Sequence, residues 1–546
     1  MKLNIFKNII PAAALLCTLG FSACTDDLKV QNINPQQNAD FTEDQLMNKI
    51  YSSFVLTGQQ GPSGKGDIAD LDEGRSDYFR KMWELNEFTT DEANWVWIND
   101  TGIGDLLHNS FDATNACSIG LYYRMFFTIT ICNYYLDQFA ENGTAERALR
   151  RAEVRFVRAF TYYNIMDLYG NAAFLEHVQT EPGKRYTRAQ YFTFIESELK
   201  EIEGKLGEAG TKDYGRVDKV AAQLLLARLY LNAEVYTGTA HWQEAKDYAQ
   251  KVISNGYYHL NTKGAINPKT GEEYSAYQML FLADNDTNGA QYEDIFPVLH
   301  DGVRTESYGG MHFLTLSTYA KPSENDMDLL IPSGTTCAWG KCARTQGKLI
   351  DTFFGKDTTV PETGILKDVI TVAGDDRALF YTGGGGTRYI TDETDASNGY
   401  CCAKFRNVRS DGQPTSIVDQ FVDTDLPLMR LAEAYLTYAE AETRLNGASE
   451  DAASKINALR SRAHAATQAS YSLDDIRDEW SKEFWFEGRR RMDLVRFGCF
   501  GGQSQYTWEY MGGAANGSQF AATRNIFALP LNDLTNNPNL VQNPGY

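Results

Sequence analysis

Apolar positions recur along this chain at helical spacing, in blocks separated by polar stretches. The block at residues 145–169 carries Ala152, Phe156, Ala159 and Tyr163 at i, i+4, i+7 and i+11. That spacing lines one face of a helix, and Gly170 supplies its stop. Residues 121–140 predict an aromatic-rich helix and residues 188–206 an amphipathic one. Residues 217–254 read as a helical hairpin with a Gly-Thr turn, and residues 427–446 and 450–466 as a second. Between the hairpins, residues 257–425 are rich in Gly, Asp, Asn and Thr and predict loops with short strands. The expected fold class is mainly α: a helical scaffold with a loop-rich insertion at about 257–425.

Two stretches break this pattern. In Asp70 to Gly104 helical periodicity fails, which predicts surface loop and short elements. It still holds Tyr78, Phe79, Trp83, Trp95 and Trp97 beside Asp72, Arg80, Asn99 and Asp100. Large rings among planar hydrogen-bonding groups suit carbohydrate: a sugar offers a C–H face to an aromatic and a hydroxyl rim to acceptors and forked donors. Trp83 and Trp97 are expected to tuck inward and Trp95 to be exposed. The second stretch, Asp478 to Gly498, reads DEWSKEFWFEGRRRMDLVRFG. Trp480, Phe484 and Leu494 can share a helical face, while Glu479, Glu483 and Glu487 form an acidic ridge followed by Arg489, Arg490, Arg491 and Arg496. So many charges among aromatics fit a buried network in which each charge is paired. The catalytic alternative makes Glu483 and Glu487 an acid/base pair, but neighbouring arginines keep carboxylates ionised.

Composition narrows the classes. The 546 residues are 43% hydrophobic and 12% aromatic, an ordinary globular composition. The formal charge of −21, with no basic run, excludes nucleic acid as a partner. Lys2 and Lys7 precede an apolar run, Ile9 to Leu19, ending in Phe21-Ser22-Ala23-Cys24. That describes a secretory signal over residues 1–23, too short for a permanent membrane span. Residues 24–546 then form one unit, opening on a polar lead at 25–40 and a helix capped by Thr42. Of the nine cysteines, Cys337 and Cys342 either bridge or are two buried thiols, and the adjacent Cys401 and Cys402 read as packed thiols. No Cys/His spacing fits zinc. Asp284, Asp286 and Asn288 resemble the start of a calcium loop, with a solvated acidic turn as the alternative. No cofactor is required. Gly383 to Gly386 lack a following Gly-Lys-Ser/Thr, so no phosphate loop is read there.

The run EFWFEGRRRMDLVRFG resembles the C-terminal signature of the SusD/RagB family, surface glycan-binding lipoproteins of gut Bacteroidetes. Small alanines at the helix crossings of both hairpins resemble tetratricopeptide repeats, several of which build that family's fold. DEGRSDYFR, TDEANWVW, DGVRTESYGG, GDDRALFYTGGGG and DTDLPLMRLAEAYLT also resemble the family's starch-binding founder. The resemblance implies an aromatic arc of Trp95, Trp339 and Tyr308, with Asp72, Arg80 and Asn99 or Asp100 as polar partners. It implies cleavage before Cys24, lipid on its sulfur, and outer-membrane attachment at the cell surface. It further implies non-catalytic delivery of starch or maltooligosaccharide to a TonB-dependent, SusC-like transporter. Other expectations are a different glycan in the same role, a glycoside hydrolase, which needs two carboxylates across a sugar bond, and a repeat scaffold for proteins.

Overall fold

The computed structural model describes residues 41–68, 76–141, 143–319, 333–416 and 421–546. The signal segment, Cys24 and Asp72 lie outside them. The chain divides into two compact units, residues 1–46 and 47–546. In the first, Thr42 accepts from the Gln45 amide at 3.3 Å and its own N–H donates to Gln45 Oε1 at 2.9 Å, a reciprocal helix cap.

The second unit is mainly helical, as expected. Helices Ala116–Gln138, Ala145–Tyr169, Arg188–Glu203, Lys219–Leu231 and Trp242–Ile253 follow one another in space, each packed on the last. The chain then leaves this stack and returns so that Ala432–Asn446 packs on Trp242–Ile253, with Glu450–Arg462 beyond it. The insertion therefore interrupts the sequence of the scaffold and not its packing. Ala152, Phe156, Ala159 and Tyr163 are all buried on the predicted face. Gly170 ends that helix at φ 67°, where a side chain is strained. Among the described residues no helix is long and apolar enough to cross a membrane.

Three predicted segments come out differently. The hairpin helix expected to begin at residue 427 begins at Ala432, because Leu426–Arg430 is a strand paired with Asp294–Val298. Asp70 to Gly104 contains a full helix, Tyr78–Glu87, with every residue buried except Arg80. Its polar positions, Arg80, Lys81, Glu84 and Glu87, do recur at helical spacing; the last three are nevertheless buried, Lys81 paired with Glu84 and Glu87 accepting from the Arg489 amide. Finally, Leu494 does not share a helix with Trp480 and Phe484. The helix Leu473–Phe484 stops, Phe486 and Gly488 turn the chain at φ 62° and 77°, and Arg490–Arg496 starts a new one.

The charges of that turn are paired in the interior. Arg430 donates to Glu483 at 2.6 Å and grips both oxygens of Glu487 at 2.8 Å. Arg377 reaches Asp375, Glu479 and Glu483 at 2.8–3.0 Å, and Arg462 bridges Glu293 and Glu483. Burial alone raises the Glu483 carboxyl; the guanidiniums of Arg462, Arg430 and Arg377 outweigh it and hold the group well below the usual carboxylate range. Glu483 is thus an ionised anchor and not a proton donor.

The seven described cysteines are free thiols. Cys342 is buried with its Sγ on the Ser317 carbonyl at 3.5 Å, Cys337 is half-buried, and Cys401 and Cys402 are packed inside.

Candidate functional site

The strand Ala93–Trp95 pairs antiparallel with Ala343–Thr345, placing Trp95 opposite Ala343. This two-stranded ribbon brings together two loops nearly 250 residues apart in sequence, one starting at Val96 and the other ending at Cys342. The Val96 N–H donates to the Cys342 carbonyl at 3.0 Å. A third element, the helix Gly310–Thr318, lies against them and contributes Phe313.

Phe313 is the hub of the aromatic cluster. Trp95 stacks on it with ring centroids 5.8 Å apart, and Trp339 meets it at 6.1 Å. Tyr308 lies 6.5 Å from Trp339 and 6.1 Å from Phe421. The Arg80 guanidinium sits over Phe313 at 4.9 Å and over Trp339 at 5.4 Å, positions at which a cation is attracted to a ring face. It also donates to the Tyr308 carbonyl at 3.1 Å and to Glu84 at 2.9 Å. Trp95, Trp339, Tyr308 and Arg80 are therefore gathered in one place, although they come from four separate segments.

Their exposure differs from expectation in one respect. Trp95 is only 2% exposed, while Trp97, expected to tuck inward, is 46% exposed. The reason is local. Trp95 is the last strand residue, enclosed by Phe88, Phe313 and Trp97, and its indole N–H is satisfied by Asp100 Oδ2 at 3.1 Å. Trp97 opens the turn past the strand end, closed by the Asp100 N–H on its carbonyl at 2.9 Å. It stands edge-on to Trp95 at 5.8 Å and 89°. Trp95 is the backing and Trp97 the outward ring. Sequence reading missed Trp97 because the covering of Trp95 rests on tertiary contacts, Phe88 on one side and Phe313, more than 200 residues away, on the other. Trp339 and Tyr308 are half-buried, Asn99 is exposed in the turn, and Asp100 is committed to the Trp95 indole.

The C-terminal signature fixes this cluster from below. Arg490 grips both oxygens of Asp91 at 2.8 Å. Glu92 accepts from the Ser481 hydroxyl at 2.7 Å and the Phe486 amide at 3.1 Å. The Trp83 indole donates to the Phe486 carbonyl at 2.9 Å, and the Arg489 amide to Glu87 at 2.9 Å. The Glu92 carbonyl in turn accepts from the Gln346 amide at 2.9 Å, beyond the partner strand. The stretch leading into Trp95 is thus bolted to the signature at four points.

The three residues considered for calcium lie elsewhere. Asp284 is buried and accepts from the Ser410 amide and hydroxyl at 2.7–3.1 Å, and Asn288 turns its amide nitrogen to Asp284 and to the Met279 carbonyl. As a trio these groups do not fit a hard cation, which needs converging oxygens. Asp286 is exposed and adds to the burial that raises the nearby Asp425 carboxyl. Among the described residues no group of three or more His, Cys, Asp or Glu is arranged to hold a metal ion.

The fold is thus a helical stack that carries a loop-borne aromatic cluster with one ring, Trp97, turned outward. The chain belongs to the SusD family. The SusD family profile matches residues 338–546. The chain is 37% identical over 579 aligned positions, covering all of both proteins, to the starch-binding protein SusD of Bacteroides thetaiotaomicron. Among solved structures it resembles a SusD-like carbohydrate-binding protein of Bacteroides fragilis, with TM-score 0.66 at 18% identity over 91% of this chain and 98% of that one. It also resembles surface glycan-binding protein A of Bacteroides thetaiotaomicron, solved with laminarihexaose, with TM-score 0.62 at 18% identity over 92% and 98%.

Proposed function

We propose that this protein binds an α-glucan, starch or maltooligosaccharide, at the cell surface and delivers it uncleaved to a TonB-dependent, SusC-like transporter. The observation that carries the reading is a chain of rings: an exposed Trp97 edge-on to Trp95, Trp95 and Trp339 both against Phe313 with Arg80 over it, and Tyr308 beside Trp339. Full-length likeness to a protein named for starch binding supports the choice of glycan. Sugar rings would lie with their C–H faces on Trp97, Trp339 and Tyr308, their hydroxyl rims meeting Arg80 and Asn99. Asp100 acts one step back, by holding the Trp95 indole. An arc of rings, as the family resemblance implies, would match the coil of an α-1,4-glucan better than a flat β-linked chain. Several modest contacts give an affinity weak enough for release.

The non-catalytic reading is supported by a full-length relative named as a binding protein, and Glu483 and Glu487, the carboxylates first considered for acid/base work, are held by arginines inside the fold. A lipid on Cys24 would tether the protein to the outer membrane.

The test is calorimetric titration of the pure protein with maltoheptaose, laminarihexaose and a mucin-type oligosaccharide, together with overnight incubation on starch. Maltoheptaose is expected to bind and the others not to, with no reducing ends released. Binding of laminarihexaose alone would reassign the glycan, and release of reducing ends would make the protein a hydrolase.

A further inference from the structure

Asp77 lies beneath the aromatic cluster and is 1% exposed. Its Oδ1 accepts from the Arg80 amide at 2.7 Å, capping the helix Tyr78–Glu87, and from the Gly310 amide at 3.3 Å. One oxygen atom therefore ties the helix that carries Arg80 to the turn that carries Tyr308. The fit is close: a Cβ on Gly309 would fall on the Asp77 carboxyl group. Arg80 completes the loop by donating to the Tyr308 carbonyl. The second oxygen, Oδ2, has no hydrogen-bond partner among the described residues.

An uncapped helix start needs only a neutral acceptor, and Asn caps as well as Asp. Asn would also avoid burying a charge. The chain nevertheless keeps a carboxyl group here, at a cost in stability. Burial pushes that group up to about 6, against the amides of Arg80 and Gly310 and the charge of Arg124.

We propose that Asp77 is a positioning residue for glycan binding, its carboxylate drawing the Arg80 helix and the Tyr308 turn into the one relation that aligns guanidinium and phenol on a sugar. This rests on the α-glucan reading above. The ionised carboxylate makes stronger, charge-assisted hydrogen bonds than a neutral acid or amide, so the alignment is tighter when Asp77 is charged. The groups facing it support this assignment of the pH effect. Arg80 and Arg124 lie on one side, backed by Glu84, Lys81 and Asp67. His300 and His312 lie on the turn side, and burial holds them down at about 3 and 4, neutral at working pH.

The test compares wild type, Asp77→Asn and Trp97→Ala in calorimetric titrations with maltoheptaose from pH 5 to 8, alongside melting curves. Asp77→Asn is expected to melt higher than wild type at pH 7 yet bind about fivefold more weakly. Wild-type affinity is expected to fall below pH 6 toward that of the variant, whose own affinity stays flat. A role confined to folding would change the melting curve alone, so wild-type affinity in Asp77→Asn across the range would overturn the proposal. If wild type shows no binding, the α-glucan reading fails instead, and if Trp97→Ala binds as well as wild type, the cluster is not the binding surface and the proposal falls with it, so the failures are told apart in one experiment.

Discussion

Two tryptophans separated by a single residue do different work here. Trp95 is enclosed by Phe88, Phe313 and Trp97 with its indole N–H on Asp100, whereas Trp97 turns nearly half its surface outward. Truncating a buried ring of that size opens a cavity and forfeits its packing, about 3–5 kcal/mol. Trp95→Ala is therefore expected to lower the melting temperature by many degrees and to weaken glycan binding only because the cluster collapses. Denaturant unfolding followed by fluorescence checks this; an unchanged midpoint would mean that Trp95 is not the backing ring. That Trp95, Trp339, Tyr308 and Arg80 lie near one another was legible from the resemblance their segments carry. Which indole faces out was not, because that depends on how Phe88 and the distant Phe313 close over Trp95 in the fold.

At the scale of elements, the C-terminal turn is a structural bolt. Arg430, Arg377 and Arg462 converge on Glu483 within a dry interior. Removing one partner from such a set leaves an uncompensated buried charge, costing about 3–5 kcal/mol. Arg430→Met is expected to show that loss in denaturant unfolding, while Arg304→Met, at an exposed pair with Asp301, changes stability by less than about 1 kcal/mol. Equal, small effects at both sites would remove the bolt. The pairing was readable in sequence because buried charges must be paired, and the ridge of glutamates stood beside a run of arginines. The break at Phe486 was not readable: a residue at φ 62° carries no mark in the sequence when it is not glycine. The Tyr78–Glu87 helix was readable in principle, since Arg80, Lys81, Glu84 and Glu87 recur at helical spacing; at ten residues it offers only a short window between loops.

For the whole molecule, the insertion at 257–425 and the helical stack depend on each other through these charges. Asp375, Arg377 and Glu293 come from the insertion; Arg462, Glu479 and Glu483 come from the later helices. Burial raises Glu433, Glu440, Glu483 and Asp493, and arginine neighbours more than reverse it, so each ends below its ordinary value. A carboxyl depressed in the fold contributes stability above its unfolded value, about 4.5 for Glu, and loses it as pH falls. Melting temperature is therefore expected to drop steeply below about pH 4.5, with Glu483→Gln starting lower and falling less steeply. A melting temperature that holds constant from pH 5 down to 3 would contradict the network's part in stability.

Trp97 and Trp339 offer the most direct test of glycan binding by the cluster. Calorimetric titration of Trp97→Ala and Trp339→Ala with maltoheptaose is expected to show at least a tenfold loss of affinity for each, roughly 1.4 kcal/mol, with melting temperature within a few degrees of wild type for Trp97→Ala. Wild-type titration curves from both variants would place the binding surface elsewhere on the molecule.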